Sequence, residues 1–238
     1  MKRFYTEVTV VPHEGGPREG RTGFGIRLDG KALRTPAKRE LILPSAALAE
    51  AIAAEWRAQA DEIRPADMPL MKLAATAIDR VADRCADVAA EALRYAGSDL
   101  LCYRAESPAE LVRREAKLWQ PLLDWAEARF SAPLEVATGI VHVAQPPESL
   151  AALGRVLDGF DPLMLTAIAD LTASCGSLVL ALALWDGRID AGTAAAAVLV
   201  DEIYQAEQWG EDAEAAAGRD KLVAEIGAAA RFLDLLRA

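Results

Sequence analysis

One acidic segment near the carboxyl end of the chain has the side chains best suited to chemistry. Residues 201–215, DEIYQAEQWGEDAEA, contain six carboxylates together with one tyrosine and one tryptophan, and lack lysine and arginine. Such a set is compatible with three kinds of site. These are a carboxylate pair for acid–base catalysis, an oxygen cradle for Mg²⁺ or Ca²⁺, and a surface that binds another protein.

Helical spacing separates these three possibilities. Glu202, Gln205 and Trp209 stand at positions i, i+3 and i+7, so they share one face of a helix. Glu207 lies on a different face, and the helix therefore supplies no ready-made carboxylate pair. Acids spread along a helix also lack the loop geometry that Ca²⁺ or Mg²⁺ requires. We therefore expect a protein-docking face, flanked by acids that are solvated.

The same helix must also be held against the rest of the protein. A stripe of apolar residues beside the docking face is expected to seat the helix on its neighbours: Leu199, Ile203 and Ala206. Gly210 follows Trp209 directly and is expected to end the helix there. An aromatic ring left at such an end, surrounded by acids, is typical of an anchor for a protein partner.

Composition and charge exclude several other classes of function. The formal net charge of −10 argues against nucleic-acid binding, which needs a basic stripe for phosphates, and against docking on anionic membranes. The cysteines Cys85, Cys102 and Cys175 form no CxxC pair, and only His13 and His142 are available as imidazole ligands. We therefore expect free thiols in a reducing compartment, with no zinc site, no redox dithiol and no histidine-rich metal site.

No segment reads as a secretory signal or as a membrane span. The start, MKRFYTEVTVV, lacks the apolar core and the small-residue cleavage site of a signal peptide. The most apolar stretch, residues 163–185, contains Asp170, which would cost roughly 2.5–3.5 kcal/mol at the centre of a bilayer. A buried helix is the better interpretation, and we expect a cytoplasmic protein without membrane insertion.

The elements that position these residues change character at Pro44. Residues 1–45 alternate and are rich in β-branched and aromatic side chains, which predicts a small antiparallel β-rich domain. Asp29-Gly30 predicts a hairpin turn, and residues 13–23 predict a long loop between the first two strands. Residues 46–238 follow helical periodicity, with Ser45 as an expected N-cap. The predicted fold class is therefore α+β, a β-rich N-terminal domain followed by a larger α-helical domain.

The helical domain is expected to contain seven helices. Their predicted ranges are 45–59, 72–97, 107–130, 148–158, 161–185, 190–209 and 211–236.

Two further motifs have simpler structural explanations. GIRLDGKA, residues 25–32, resembles a phosphate-binding loop, but Ala32 stands where a hydroxyl must ligate magnesium. Ser98, Asp99 and Cys102 lie close together, but the only candidate base is the distant His142. We expect Ser98 or Asp99 to cap a turn, and His142 to be a hydrogen-bonded structural residue.

A series of segments along almost the whole chain resembles one known family. In order they are RFYTEVTV, LDGKALRTPAK, LAEAIAAEW, AIDRVADR, YAGSDLLCYRA, PLLDWAEARF, GIVHVAQP, SCGSLVLALAL and DEIYQAEQWGEDAEA. Together they resemble the assembly chaperone for the α subunit of the F-type ATP synthase catalytic head.

The resemblance implies a two-part fold, no enzymatic activity and no cofactor. It implies that the chain binds the free α subunit before that subunit meets β, and shields the surface later used in the ring. The acidic-aromatic motif of the family corresponds here to Glu202, Tyr204, Gln205, Trp209 and Gly210. We rank Glu202 first among them for partner binding.

Two other functions remain open from the residues alone. A small-molecule enzyme using Glu202 with an acid from another helix would require a closed pocket near Trp209. A structural subunit of a permanent complex would expose a large apolar patch.

Overall fold

The computed structural model describes residues 1–14 and 23–237. The long loop predicted at residues 13–23 falls mostly on residues 15–22, outside the described residues.

The amino-terminal part of the chain forms a four-stranded antiparallel sheet. Its strands are β1 (Val8–His13), β2 (Gly23–Leu28), β3 (Lys31–Ala32) and β4 (Ile42–Leu43). Strand β2 is central. It pairs with β1 along its whole length, from Val8 opposite Leu28 to His13 opposite Gly23, and with both β3 and β4 on its other edge.

The predicted hairpin turn between β2 and β3 is confirmed. Asp29 and Gly30 adopt φ angles of 47° and 78°, the left-handed geometry that this turn requires. The Asp29 carboxylate accepts hydrogen bonds from the backbone N–H groups of Thr6 and Glu7, at 3.0 and 2.8 Å. These bonds lower the pKa of Asp29 and fix the chain just before β1 to the turn.

Helices make up most of the remaining chain, so the predicted α+β fold class is confirmed. They are α1 (Ala46–Arg57), α2 (Pro69–Thr76), α3 (Cys85–Ala96), α4 (Ala109–Phe130), α5 (Pro147–Asp158), α6 (Pro162–Cys175), α7 (Leu178–Trp185), α8 (Ala191–Val198), α9 (Val200–Trp209) and α10 (Ala213–Arg237). A short parallel pair, β5 (Tyr103–Arg104) and β6 (Ala137–Thr138), lies among them.

Three helices that were each predicted as continuous are divided in two in the structure, so their predicted ranges were wrong. The helix predicted at 161–185 divides into α6 and α7 at Gly176, whose φ of +64° stops the first helix, while Ser177 caps the second through Leu180 N–H. The one at 190–209 divides into α8 and α9 at Leu199. The one at 72–97 divides between α2 and α3, where a π-helical turn at Ala77–Val81 is followed by a break.

The first compact unit contains more than the β-rich segment. It comprises Met1–Cys85, Asp161–Ala167 and Arg231–Ala238, and the predicted domain boundary at residue 45 stays a prediction. A small sheet needs a helix to cover its apolar face. Helix α1 contacts β1, β2 and β4, and its Leu48 and Ile52 are fully buried.

The second unit comprises Ala86–Phe160 and Ile168–Ala230, and its helices pack around α4. Helix α4 contacts α7, α8 and α9, and the side chains of Leu178–Leu184 in α7 are all buried. Trp119 of α4 donates its indole N–H to the carbonyl of Ala197 in α8, at 2.8 Å. Within residues 1–14 and 23–237, no helix combines the length and the apolar character needed to cross a bilayer.

Candidate docking surface

The predicted docking face lines an open groove in the second unit. This α9–α10 groove has a volume of about 650 Å³ and lies between α9 and the first part of α10. Its lining residues are Leu199, Glu202, Gln205, Ala206, Trp209, Gly210, Asp212, Ala215, Gly218, Arg219 and Leu222.

The inner face of α9 is fixed to α4 by a tyrosine and an ion pair. Tyr204 is 9% exposed, and the Arg114 guanidinium lies 5.4 Å from the centre of its ring. The same guanidinium donates to the Glu207 carboxylate at 2.7 Å and to that of Glu110 at 3.1 Å. Arg114 thus connects two acids and one aromatic ring, and sets the rotation of α9 about its axis.

The amino end of α9 also contacts α4, because Asp201 of α9 lies against Glu115 of α4. Glu115 of α4 is 1% exposed and accepts a hydrogen bond from Ala105 N–H at 2.9 Å. Burial raises the pKa of Glu115, the hydrogen bond from Ala105 opposes that rise, and the adjacent Asp201 carboxyl adds to it. Sequence reasoning missed Arg114 and Glu115, because their partners on α9 lie more than eighty positions further along the chain.

The outer face of α9 carries three side chains that the fold does not engage. Glu202, Gln205 and Trp209 lie along one wall of the groove, as their helical spacing predicts, and Trp209 is 80% exposed. Among the described residues, none makes a hydrogen bond or ion pair with the Glu202 carboxylate. Gly210, at φ +95°, ends α9 immediately after the tryptophan. The partner-binding role of these residues stays a prediction.

Tyr204, assigned to the partner-binding set, is buried towards Arg114 and does not line the groove, and its partner-binding role stays a prediction. One expectation for α9 was wrong: Ile203, assigned to the seating stripe, is 39% exposed. The actual seat uses Val200 with Leu199 and Tyr204, because α9 is rotated relative to the stripe that hydropathy alone selects.

The acids and the arginine at the far end of the groove have local partners. Asp212 caps α10 by accepting a hydrogen bond from Ala215 N–H at 2.9 Å, and Arg219 forms an ion pair with Glu211. The positive charge of Arg219 is therefore balanced within the chain, whereas the negative charge of Glu202 is not.

The geometry of the groove does not suit the enzyme alternative. That function required a closed pocket near Trp209, but the groove is open and Glu202 and Trp209 are exposed to solvent. Water-excluded surroundings are what make a carboxylate an effective acid or base. Among residues 1–14 and 23–237, no group of three histidine, cysteine or acidic side chains is placed to hold a metal ion.

The Ser98–Cys102 segment has the structural role that was expected. Asp99 is fully buried and accepts from Leu101 N–H, which makes it the cap of a short turn. Cys102 is fully buried, and burial raises the pKa of its thiol to about 12, which disfavours the reactive thiolate form. His142 shares a 3.1 Å hydrogen bond with the Tyr103 hydroxyl.

The chain thus combines an α+β fold with an open, acidic-aromatic groove, and comparisons with known proteins specify its family. Residues 2–127 match the family model described as ATP12 chaperone protein. The chain belongs to the ATP12 chaperone family. The resemblance to ATP synthase assembly chaperones seen in the sequence is thereby confirmed.

Solved structures extend the similarity to nearly the whole chain. Atp12 from Paracoccus denitrificans is 44% identical, with a TM-score of 0.91 over 99% of this chain and 98% of that one. A mutant of that protein with aspartate replaced by lysine is 43% identical, with the same TM-score and the same coverage. The mitochondrial protein atp12 of Schizosaccharomyces pombe is 26% identical over 202 residues, 79% of this chain and 69% of that protein. The family model stops before α9, whereas the structural matches include the groove.

Proposed function

We propose that this chain binds the free α subunit of the F-type ATP synthase catalytic head and shields it until it assembles with β. The observation that carries the proposal is the outer face of α9, where Glu202, Gln205 and Trp209 line an open groove and lack partners among the described residues. An exposed tryptophan and a free carboxylate on one helix face offer both an apolar anchor and a charge to a partner.

The chemistry of the groove fits such a client. A nucleotide-binding subunit awaiting assembly exposes apolar interface and cationic groups that later contact phosphate. The net charge of −10 favours encounter with a cationic surface, and Trp209 beside Ala206 and Leu222 provides apolar area. Because the groove is open, we expect binding weak enough for β to displace the chaperone.

The proposal includes two narrower statements about the chain. It acts without catalysis, since the groove lacks the enclosed carboxylate that acid–base chemistry requires. It acts in the cytoplasm, where the free thiols Cys85, Cys102 and Cys175 remain reduced.

Charge reversal at Glu202 tests the proposal. We expect Glu202→Lys to weaken capture of separately expressed α subunit by about tenfold or more, because it replaces attraction with repulsion on the groove wall. Capture is measured by co-purification and by suppression of α-subunit aggregation. The matched control is Asp220→Lys, the same charge change on an exposed α10 residue outside the groove, which should alter capture by less than about twofold.

Two results would contradict the proposal. One is a Glu202→Lys protein that protects the α subunit as well as the parent does. The other is an unsubstituted chain that captures neither α nor β. Circular dichroism of both variants checks that the fold is unchanged.

A further inference from the structure

Two glycines, Gly218 and Gly227, lie inside the continuous helix α10 at positions where the chain itself does not require them. A glycine inside a helix lowers helix stability relative to alanine, so it normally marks a close contact or a special backbone angle. A β-carbon built at Gly218 or at Gly227 meets no atom within 4 Å. Their φ angles are not in the left-handed region. Within the described residues, neither glycine is explained by packing or backbone geometry.

Only one of these two glycines lies in the α9–α10 groove. Gly218 lines it, together with the small residues Ala206 and Ala215, whereas Gly227 does not. Small residues at a helix surface allow another backbone to approach closely. The space above Gly218 is therefore open in the free chain and available to a partner in the complex.

The two walls of the groove suit a helix better than an extended segment. On α9 the wall residues stand at helical spacing over two turns, Glu202, Gln205 and Trp209, and on α10 the wall is Ala215, Gly218 and Leu222. The backbone groups inside a helix are already paired, so these walls offer no free donors or acceptors to an extended strand. A helical segment arrives with its own backbone bonds satisfied and can pack its side-chain ridges between the walls.

The charges of the groove indicate which charged side chain the entering segment carries. Arg219 is balanced by Glu211, and Asp212 is held as the cap of α10. Glu202 remains as a carboxylate without a partner in the described chain, on the same groove wall as the exposed ring of Trp209. The complementary segment is amphipathic, with apolar side chains for Trp209 and a lysine or arginine for Glu202.

We infer that the α9–α10 groove receives an amphipathic helix of the client, whose backbone passes directly over Gly218. This inference rests on the proposed function and specifies how the client is held. Trp209 packs on the apolar face of the incoming helix, Glu202 pairs with its basic residue, and Gly218 leaves room for its backbone.

The paired variants Gly218→Ala and Gly227→Ala test the inference. Both exchange glycine for alanine inside α10, so both should raise the midpoint of thermal unfolding of the free chain. Binding to immobilised, separately expressed ATP synthase α subunit should then separate them. We expect Gly218→Ala to weaken binding about tenfold and Gly218→Leu more strongly, while Gly227→Ala stays within about twofold of the unsubstituted chain.

The outcomes distinguish this inference from the proposed function. If Glu202→Lys abolishes capture while Gly218→Ala and Gly218→Leu bind normally, the client does not pass over Gly218 and the inference fails alone. If the unsubstituted chain does not bind the α subunit, both fail. If Gly218→Ala changes the sedimentation of the chain by itself and leaves capture of the α subunit intact, the occupant is a second copy, and the inference is overturned.

A cross-linking experiment identifies the segment directly. A photoreactive benzophenone side chain placed at Gln205 on the groove wall should attach to a peptide of the α subunit that is helical and contains lysine or arginine. Attachment to a β-strand of the α subunit would overturn the assignment of a helix.

Discussion

Asp201 and Glu202 are neighbouring acids on the same helix, but one carboxylate is partly buried and the other is exposed to solvent. One carboxylate oxygen of Asp201 is fully enclosed, and its side chain lies against the buried Glu115 of α4. Glu202 is exposed on the groove wall. A step of one residue turns a side chain by about 100° around a helix, so chemically similar acids reach different surroundings.

The aromatic residues of α9 show the same contrast. Tyr204 is 9% exposed and is held beneath the Arg114 guanidinium, whereas Trp209 is 80% exposed at the end of the helix. The inner face of α9 therefore contributes to stability, and the outer face is left for a partner. The acidic-aromatic motif of α9 is therefore not a single surface. Helical geometry places some of its residues on the buried face, which stabilises the fold, and others on the exposed face.

Truncation of each aromatic residue tests whether the two faces of α9 contribute differently to stability, and it has the largest expected effect. Tyr204→Ala should lower the free energy of unfolding by about 3 kcal/mol, because it opens a cavity against α4 and removes the contact with Arg114. Trp209→Ala should lower it by less than about 0.5 kcal/mol. Urea denaturation measures both. Equal losses of stability would show that the two faces of α9 are not divided in this way.

The pH dependence of stability extends the comparison to a fully buried acid, Asp99. Asp99 is fully enclosed and accepts hydrogen bonds from Leu101 and Val179, and burial raises its pKa from 3.8 to about 6. The folded protein therefore retains a proton that the unfolded chain has released between those two values. The stability contributed by that proton is present at low pH, and about 3 kcal/mol of it is lost as the pH rises through 6.

Asp99→Asn isolates this contribution. The variant cannot ionise at position 99, so the free energy of unfolding should fall less steeply between pH 4 and pH 7 than in the unsubstituted chain. Denaturation with urea at several pH values gives both slopes. Parallel slopes would mean that Asp99 does not titrate in this range.

The smallest expected effect compares two exposed acids on opposite faces of α9. Glu207→Gln removes the ion pair with Arg114 and should cost about 0.5 kcal/mol, an effect that decreases with added salt because the pair is partly exposed. Glu202→Gln breaks no contact among the described residues and should leave stability unchanged. A larger loss of stability from Glu202→Gln would show that this carboxylate supports the fold.

Features fixed by neighbouring residues were predictable from the sequence. Asp29-Gly30 forms the expected hairpin turn, because both residues tolerate a positive φ. Ser45 caps α1 by accepting a hydrogen bond from Leu48 N–H at 3.1 Å, as its position before an apolar helical repeat indicates. The grouping of Glu202, Gln205 and Trp209 on one face is likewise a consequence of helical spacing.

Features that depend on distant residues were not predictable in this way. The break at Gly176 lies inside an apolar run whose periodicity continues smoothly, and it also depends on Asp99, which accepts a hydrogen bond from Val179 across 80 positions of sequence. The inward rotation of Tyr204 depends on Arg114, which approaches from α4. The division into compact units depends on α1 covering the sheet.

The sequence by itself therefore determined the α+β class, the local turns and caps, the shared face of Glu202, Gln205 and Trp209, and the family. These depend on spacing, backbone preference and charge, which act over a few residues or are additive along the chain. Only the tertiary structure decided which side of α9 is buried, where the long helices break, and that Gly218 opens onto a groove. Those features arise from packing between residues far apart in the chain, and no local pattern specifies which distant side chains will meet.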